Sequence, residues 1–226
     1  KANGFELKSG YTIHIACDTT EMEPVVKSAL KMLVNDFQAV LSSDVCIGKE
    51  GNIIINKDTT LLDKRKEAFQ LKVSDDQLYV TGSDAHGVAY GILEISRLIG
   101  VSPWEWWADV MPLKRSSFSL ANGYVNLQAP SVEFRGIFIN DEDWGLMPWS
   151  SLHYEPWHKP GRIGPKTNAR IFELMLRLRA NTYWPAMHEC TQPFFLTQGN
   201  REVAEQYGIY IGGSHCEPMA SSTAGE

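Results

Sequence analysis

The feature that most constrains the fold of this chain is the alternation of strand-like and helix-like segments after Ser131. The predicted segments are, in chain order, a strand over residues 134–140, a helix over 168–180, a strand over 182–186, a helix over 201–207 and a strand over 209–213. Strict alternation of strands and helices, with short connections after the helices, is typical of parallel strands joined by helical crossovers. The sequence therefore predicts a parallel sheet in this half.

Three parallel strands do not form a complete domain, because both sheet edges and one sheet face would stay uncovered. A (β/α)8 barrel needs about 250 residues, and far fewer follow Ser131. We therefore predict that residues 126–226 are the first three βα units of a (β/α)8 TIM-like barrel, and that the barrel is truncated in this chain.

The sequence pattern of the first half predicts a separate, small α/β domain over residues 1–125. Strand patterns at 11–17, 52–56, 69–73 and 78–81 are interleaved with two amphipathic helices. Thr20 and Glu23 have the spacing of a capping box for the first helix. The second helix has Asp84 as its predicted N-cap and Gly100 as its end, and Gly87 and Gly91 on one face predict close packing against a sheet.

Charge and hydropathy exclude several classes of partner. The formal net charge is −6 and the isoelectric point is near 5.6, whereas nucleic-acid-binding domains carry a basic face. No apolar run approaches the ~20 residues of a membrane span, so membrane insertion is not expected. The cysteines show no CxxC spacing and leave their disulfide state open; they are Cys17, Cys46, Cys190 and Cys216.

Polar and aromatic residues follow each of the three strands of the second half. Sites form at the carboxyl ends of parallel strands in barrels and open sheets alike, so these residues are predicted to share one rim. The polar and aromatic residues that follow the strands lie at 140–144, 184–190 and 214–219.

The loop after the first of these strands is long and rich in aromatic side chains. It runs from Asp141 to Pro165 and includes Trp144, Trp149, Tyr154 and Trp157. Long loops in compact domains are often functional, and an indole face suits the apolar face of a sugar ring. The alternative interpretation, that these rings only pack the loop onto the rim, stays open at this stage.

The rim carboxylates suit glycoside hydrolysis, which uses one carboxylic acid and one carboxylate. Glu189 and Glu217 are the weak catalytic candidates, and each also fits a solvated loop charge. A metal site is not predicted, because the neighbouring triplets 188–190 and 215–217 lack a zinc spacing and adjacent residues on extended backbone point to opposite faces.

Four blocks of the sequence together resemble glycoside hydrolase family 115. They are VTGSDAHGVAYGILEISRLIGVSPWEWWADV at 80–110, FRGIFINDEDW at 134–144, NTYWPAMHE at 181–189 and YGIYIGGSHCEPM at 207–219. The resemblance implies an enzyme that removes glucuronic acid or its 4-O-methyl form from xylan or xylo-oligosaccharides, with inversion and without a cofactor. It also implies a sugar pocket at the rim, and catalytic acid and base residues on barrel strands beyond Glu226, so this fragment alone is expected to be inactive. The substrate-binding residues predicted on this basis are Asn140, Asp141, Glu142, Trp144, Trp184, His215 and Glu217.

The resemblance further implies a periplasmic or extracellular protein whose partner is a glucuronic-acid-decorated glycan, and it allows a homodimer formed through domains absent here. Arg162 and Lys159 are candidate partners for the uronic acid carboxylate. Two alternatives stay open: another barrel glycosidase with a hexosaminidase-like front domain, and a non-catalytic carbohydrate-binding module. Carboxylates converging with tryptophan in one pocket would favour an enzyme.

Overall fold

A computed structural model describes residues 4–141, 143–156, 161–186 and 190–213 of the chain. The chain divides into two units, Lys1–Glu133 and Phe134–Glu226. The division follows a strand at Val125–Gln128 that pairs within the first unit, so it lies beyond residue 125, where the sequence placed it.

The first unit contains a mixed six-stranded sheet and a two-stranded sheet. Its strands are β1 Gly4–Lys8, β2 Ile13–Ala16, β3 Val45–Gly48, β4 Ile53–Lys57, β5 Phe69–Ser74, β6 Gln77–Gly82, β7 Ser117–Ala121 and β8 Val125–Gln128. The larger sheet has the order β3-β2-β4-β6-β5-β8, with β3, β2, β4 and β6 parallel and β5 antiparallel to both neighbours. β1 and β7 pair antiparallel, and the sequence patterns did not predict either of them.

The first helix, α1, spans Pro24–Leu41 and buries the apolar face that the sequence predicted, including Leu33 and Phe37. The predicted capping box is wrong. Thr20 instead donates its backbone N–H and its hydroxyl to Asp18 in a turn, while Glu23 is the N-cap and its carboxylate binds Lys57. Pro24 explains the late start, because proline suits the first helical position and restricts the residue before it to extended backbone.

The second helix, α2, spans Ala85–Ile99 and confirms the predictions made for it. The Asp84 carboxylate accepts a hydrogen bond from the Gly87 N–H at 2.8 Å, and Gly100 ends the helix at φ 101°. A Cβ on Gly87 would lie 2.2 Å from the Ala68 carbonyl oxygen, and one on Gly91 would lie 2.8 Å from Val80 Cγ1. The close approach of α2 to the sheet therefore depends on both glycines.

The second unit alternates strands and helices as predicted. Its elements are β9 Gly136–Phe138, α3 Leu146–Trp149 continuing into a π-helical turn Ser150–Tyr154, α4 Pro165–Arg177, β10 Thr182–Trp184, a 3₁₀ turn Phe194–Leu196, α5 Asn200–Tyr207 and β11 Tyr210–Ile211. β10 pairs parallel with β9 on one side and with β11 on the other. The predicted parallel sheet is confirmed, with shorter strands than the patterns indicated.

The two ends of α4 differ from the sequence prediction. The helix begins three residues earlier than predicted, at Pro165, and its C-cap is Leu178. Asn181 does not cap it: its buried side chain accepts a hydrogen bond from the Arg135 N–H at 2.9 Å and so ties the start of β10 to β9. Gly208, which directly follows the predicted helix over 201–207, ends α5 at φ 63°.

At the central strand, one face of the three-stranded sheet is buried and the other is exposed, whereas Ile137 of β9, in register with Tyr183, is 42% exposed. Tyr183 is fully buried, and its ring packs edge-to-face against Phe172 of α4 at 5.4 Å and against Phe194 at 6.1 Å. On the opposite face lie Phe134, Phe138, Trp184 and Tyr210, which we call the aromatic face; each is more than a third exposed. Within the described ranges, no helix is long and apolar enough to cross a membrane.

Candidate functional site

The carboxyl ends of the three parallel strands meet at one edge of the sheet. The Ile139 N–H donates to the Trp184 carbonyl at 3.0 Å, and the Gly212 N–H donates to the Tyr183 carbonyl at 2.9 Å. These bonds continue the ladder past the last residues of β9 and β11. The segments that follow the strands are therefore neighbours, as the rim prediction requires.

The structure places four of the seven predicted binding residues, and three of these are accessible. Asn140 is exposed two residues after β9, Trp144 is 89% exposed in the loop that follows β9, and Trp184 is 41% exposed at the end of β10. Glu142, His215 and Glu217 lie outside the described residues, as does the catalytic candidate Glu189.

Asp141 differs from its predicted neighbours because its side chain is buried. Only 8% of the residue is exposed, and its carboxylate accepts a hydrogen bond from the Met147 N–H in the first turn of α3. A carboxylate at a helix N-terminus satisfies an otherwise unpaired donor. Asp141 therefore anchors the start of the long loop. Burial, and secondarily the charge of Asp141, raises the pKa of the Tyr183 hydroxyl.

The aromatic face borders a groove of about 340 Å³. Phe138 and Trp184 make an edge-to-face contact at 6.0 Å, and Phe134 and Tyr210 make another at 5.8 Å. The lining residues are Phe134, Gly136, Ile137, Phe138, Thr182 and Trp184. An apolar groove with aromatic walls and a few polar atoms is the usual chemistry of a small-molecule or sugar site.

The long loop after β9 is held by a buried carboxylate that the sequence prediction missed. Glu155 is 5% exposed and accepts hydrogen bonds from the Thr167 N–H and hydroxyl and from the Lys166 N–H, in the first turn of α4. The Thr167 hydroxyl also lies 2.6 Å from the Ser150 hydroxyl. This network closes the loop onto α4, although Gly164, the N-cap residue, makes no side-chain cap.

The aromatic side chains of the loop divide between packing and exposure. Trp149 and Tyr154 stack on each other, with ring centroids 4.9 Å apart and planes 9° from parallel. The packing interpretation therefore holds for this pair, whereas Trp144 points into solvent. Trp157 lies outside the described residues.

A second connection crosses the rim between the segments after β9 and β10. The Cys190 thiol donates a hydrogen bond to the Asp143 carboxylate. Partial loss of solvation raises the pKa of this thiol, and the bond to Asp143 raises it further. Cys17, Cys46 and Cys190 are free thiols, and the described residues contain no group of three or more metal-ligating side chains.

Sequence reasoning overlooked the aromatic face itself. The signal was present in the alternation of Phe134, Gly136 and Phe138, which places the three on one face of an extended segment. Glu155 offered a weaker signal, because it stands ten residues before the helix that it caps.

Comparison with known proteins gives two matches to one family. The profile of Glycosyl hydrolase family 115 matches residues 127–226. A solved family GH115 4-O-methyl-α-glucuronidase, BtGH115A, described as specific for decorated arabinogalactans, is 59% identical over 96% of this chain, with a TM-score of 0.91. This chain spans only 30% of that protein's length. A search of curated proteins found no match.

More distant solved structures share the fold alone. A GH20 exo-β-N-acetylglucosaminidase from Vibrio harveyi is 16% identical over 94% of this chain and 34% of its own, with a TM-score of 0.57. The N-acetyl-β-hexosaminidase from Streptomyces plicatus is 10% identical over 94% of this chain and 43% of its own, with a TM-score of 0.62. The family profile and the 59% identity together show that this chain belongs to glycosyl hydrolase family 115.

Proposed function

We propose that the protein carrying this chain is a glycoside hydrolase that removes glucuronic acid, or its 4-O-methyl form, from decorated glycans. The observation that carries the proposal is the 59% identity, over 96% of the chain, to a 4-O-methyl-α-glucuronidase of the same family. This identity, with a TM-score of 0.91, supports a shared fold over the matched segment.

In this proposal the second unit forms the first strands and helices of a catalytic (β/α)8 barrel, which follows a small α/β domain in the chain. Its three strands are parallel and adjacent, and one face of the sheet packs against helices. In a barrel of this type the other face points inward and is filled by side chains, which fits the aromatic face. The active site then lies where the strands end, at the rim.

Trp184 is the described rim residue best suited to hold a sugar ring. Trp184 is 41% exposed at the carboxyl end of the central strand, where the Ile139 N–H of the neighbouring segment donates to its carbonyl at 3.0 Å. An indole face gives the apolar face of a sugar a flat contact, while the polar edge of the sugar stays available for hydrogen bonds. We assign Trp184 to the floor of the substrate site.

Two glycan classes are candidates for the substrate. The family resemblance implies xylan or xylo-oligosaccharides with glucuronic acid side groups. The printed description of BtGH115A instead favours decorated arabinogalactans. Because both carry the same terminal sugar, the sugar-binding rim serves either, and the residues that contact the remaining glycan decide between them.

Inversion of configuration is the proposed stereochemical course. An inverting pair of carboxyl groups stands about 6.5–9.5 Å apart, with a water molecule between them. Digestion followed by NMR identifies the first anomer released. A β-anomer supports inversion, and an α-anomer rejects it.

The decisive experiment measures uronic acid release by the full-length protein from glucuronoxylan oligosaccharides and from glucuronic-acid-decorated arabinogalactan. Trp184→Ala is expected to lower kcat/KM about tenfold, which corresponds to losing one aromatic contact of about 1.4 kcal/mol. Trp104→Ala is the matched control, since Trp104 is 48% exposed but lies in the first unit. Release of a different sugar, with no uronic acid from either glycan, would reject the proposal.

A further inference from the structure

Trp184 has a different neighbour on each side of its strand. In the parallel ladder, Trp184 pairs with Phe138 of β9, and Tyr183 pairs with Ile211 of β11. The next position on the β11 side is Gly212, whose N–H continues the ladder to the Tyr183 carbonyl. The indole is therefore flanked by an aromatic ring on one side and by a residue without a side chain on the other.

Gly212 is in direct contact with the indole. A Cβ built on Gly212 would lie 2.3 Å from Trp184 Nε1 and 2.6 Å from Cδ1. Carbon atoms in van der Waals contact lie about 3.5–4.0 Å apart, so no larger residue fits while the indole keeps this position. The pyrrole edge of Trp184 thus occupies the space that a side chain at position 212 would fill.

Backbone conformation does not explain this glycine. Gly212 is not among the residues with positive φ, so another residue could adopt its backbone without strain. Gly136 on the opposite strand differs, because its Cβ would meet the Thr182 carbonyl oxygen, which is backbone. At Gly212 the obstructing group is a side chain that can rotate away, so substitution there moves the indole rather than the sheet.

We infer that Gly212 is a positioning residue that sets the orientation of the Trp184 indole and so the ring area that a sugar can stack on. This inference rests on the proposed function, because it gives Trp184 its role in substrate binding. The Phe138 ring on β9 contacts the indole, with ring centroids 6.0 Å apart, and the missing side chain of Gly212 leaves room for the indole over β11. A Cβ at position 212 tilts the ring out of this place.

The test compares Gly212→Ala with Gly48→Ala in the full-length protein. Gly48 ends β3 in the first unit, has no positive φ, and a Cβ there meets nothing within 4 Å. A crystal structure of G212A is expected to show the Trp184 indole in a different rotamer. KM for the decorated glycan is expected to rise about tenfold with kcat nearly unchanged, because a stacking floor binds ground state and transition state alike.

A second comparison, made in the Trp184→Ala variant, separates a local effect of Gly212→Ala on the indole from a general effect on the protein. In Trp184→Ala protein the clash partner is gone, so adding G212A is expected to leave KM unchanged relative to W184A alone. If G212A alone fails to fold, the double variant G212A/W184A is expected to fold, and failure of both would overturn the inference. An unmoved indole in G212A would also overturn it. A moved indole with unchanged KM would keep the positioning role and reject the assignment of Trp184 to the substrate site.

Discussion

Both units pack helices against a sheet, but they bury their sheets differently. In the first unit, Phe37 of α1 and the strand residues Phe69, Leu71 and Leu78 are at most 1% exposed. In the second, Tyr183 is fully buried against α4, while Phe138 and Trp184 on the reverse face are 37% and 41% exposed. The first unit therefore buries its large apolar side chains, whereas the second leaves aromatic side chains partly exposed on one face of its sheet.

The buried carboxylates of the two units also differ, in the groups that satisfy them. In the first unit Glu94 is 1% exposed and is paired with a cation, since both Arg97 Nε and Nη2 donate to it, at 2.9 and 2.6 Å. In the second unit Glu155 is 5% exposed and is satisfied by the amides and hydroxyl at the start of α4. The first carboxylate is paired with a cation and also accepts a hydrogen bond from the Asn126 amide of β8 at 2.9 Å, whereas the second joins a rim loop to a helix.

The largest predicted effect comes from truncating one phenylalanine in each unit. Phe37→Ala removes a fully buried ring and is expected to lower the free energy of unfolding by about 4 kcal/mol. In the 226-residue chain, Phe138→Ala is expected to cost under about 1.5 kcal/mol, because its ring is 37% exposed and contacts Trp184. Urea unfolding measures both. Equal losses would mean that the aromatic face is as well covered as the first core.

The next effect tests the loop closure of the second unit. Glu155→Ala leaves the Thr167 and Lys166 donors of α4 without their carboxylate and is expected to cost about 3 kcal/mol. Glu202→Ala, in the exposed first turn of α5, is the control and is expected to cost under about 0.5 kcal/mol. Similar unfolding midpoints for the two variants would contradict the capping role.

Removing a helix N-cap in the first unit is expected to give a smaller loss in the free energy of unfolding. Asp84 accepts from the Gly87 N–H with one oxygen and from the Glu67 N–H with the other, both at 2.8 Å. Asp84→Ala is expected to cost about 2 kcal/mol, and the same change at exposed Asp44 very little. Thermal unfolding compares the pair. A loss at Asp84 larger than that at Glu155 would reverse the order expected of the two units.

Local signals explain what could be predicted from the sequence. Asp84 and Gly100 mark the ends of α2 through their own backbone requirements, and the spacing of Gly87 and Gly91 already indicates a close packed face. The parallel strands of the second unit follow from the helices between them, because a parallel pair needs a long crossover. Each of these inferences needs only a short stretch of sequence.

Long-range partners explain what could not be predicted. β1 pairs with β7 from more than a hundred residues away, and neither short strand is recognisable without the other. Asp141 precedes a helix of only four residues, which is too short to give a recognisable helical pattern. No sequence pattern therefore indicated that Asp141 would accept a hydrogen bond from the Met147 N–H. The role of Gly212 depends on the register of β10 and β11, which only the structure supplies.

The smallest effect concerns reactivity and compares one exposed cysteine from each unit. Loss of solvation and the Asp143 carboxylate raise the pKa of Cys190, so at pH 8 a smaller fraction is thiolate than for an unperturbed thiol. Asp143→Asn removes the negative charge, lowers this pKa and is expected to speed alkylation of Cys190 by iodoacetamide several-fold. Cys46, exposed in the first unit, is the internal reference and should keep its rate. Peptide-level mass spectrometry measures both rates in one sample. Because the thiolate is the reacting form, the difference between wild type and variant must shrink as the pH rises through the raised pKa; an unchanged Cys190 rate at pH 8 would show that Asp143 does not govern this thiol.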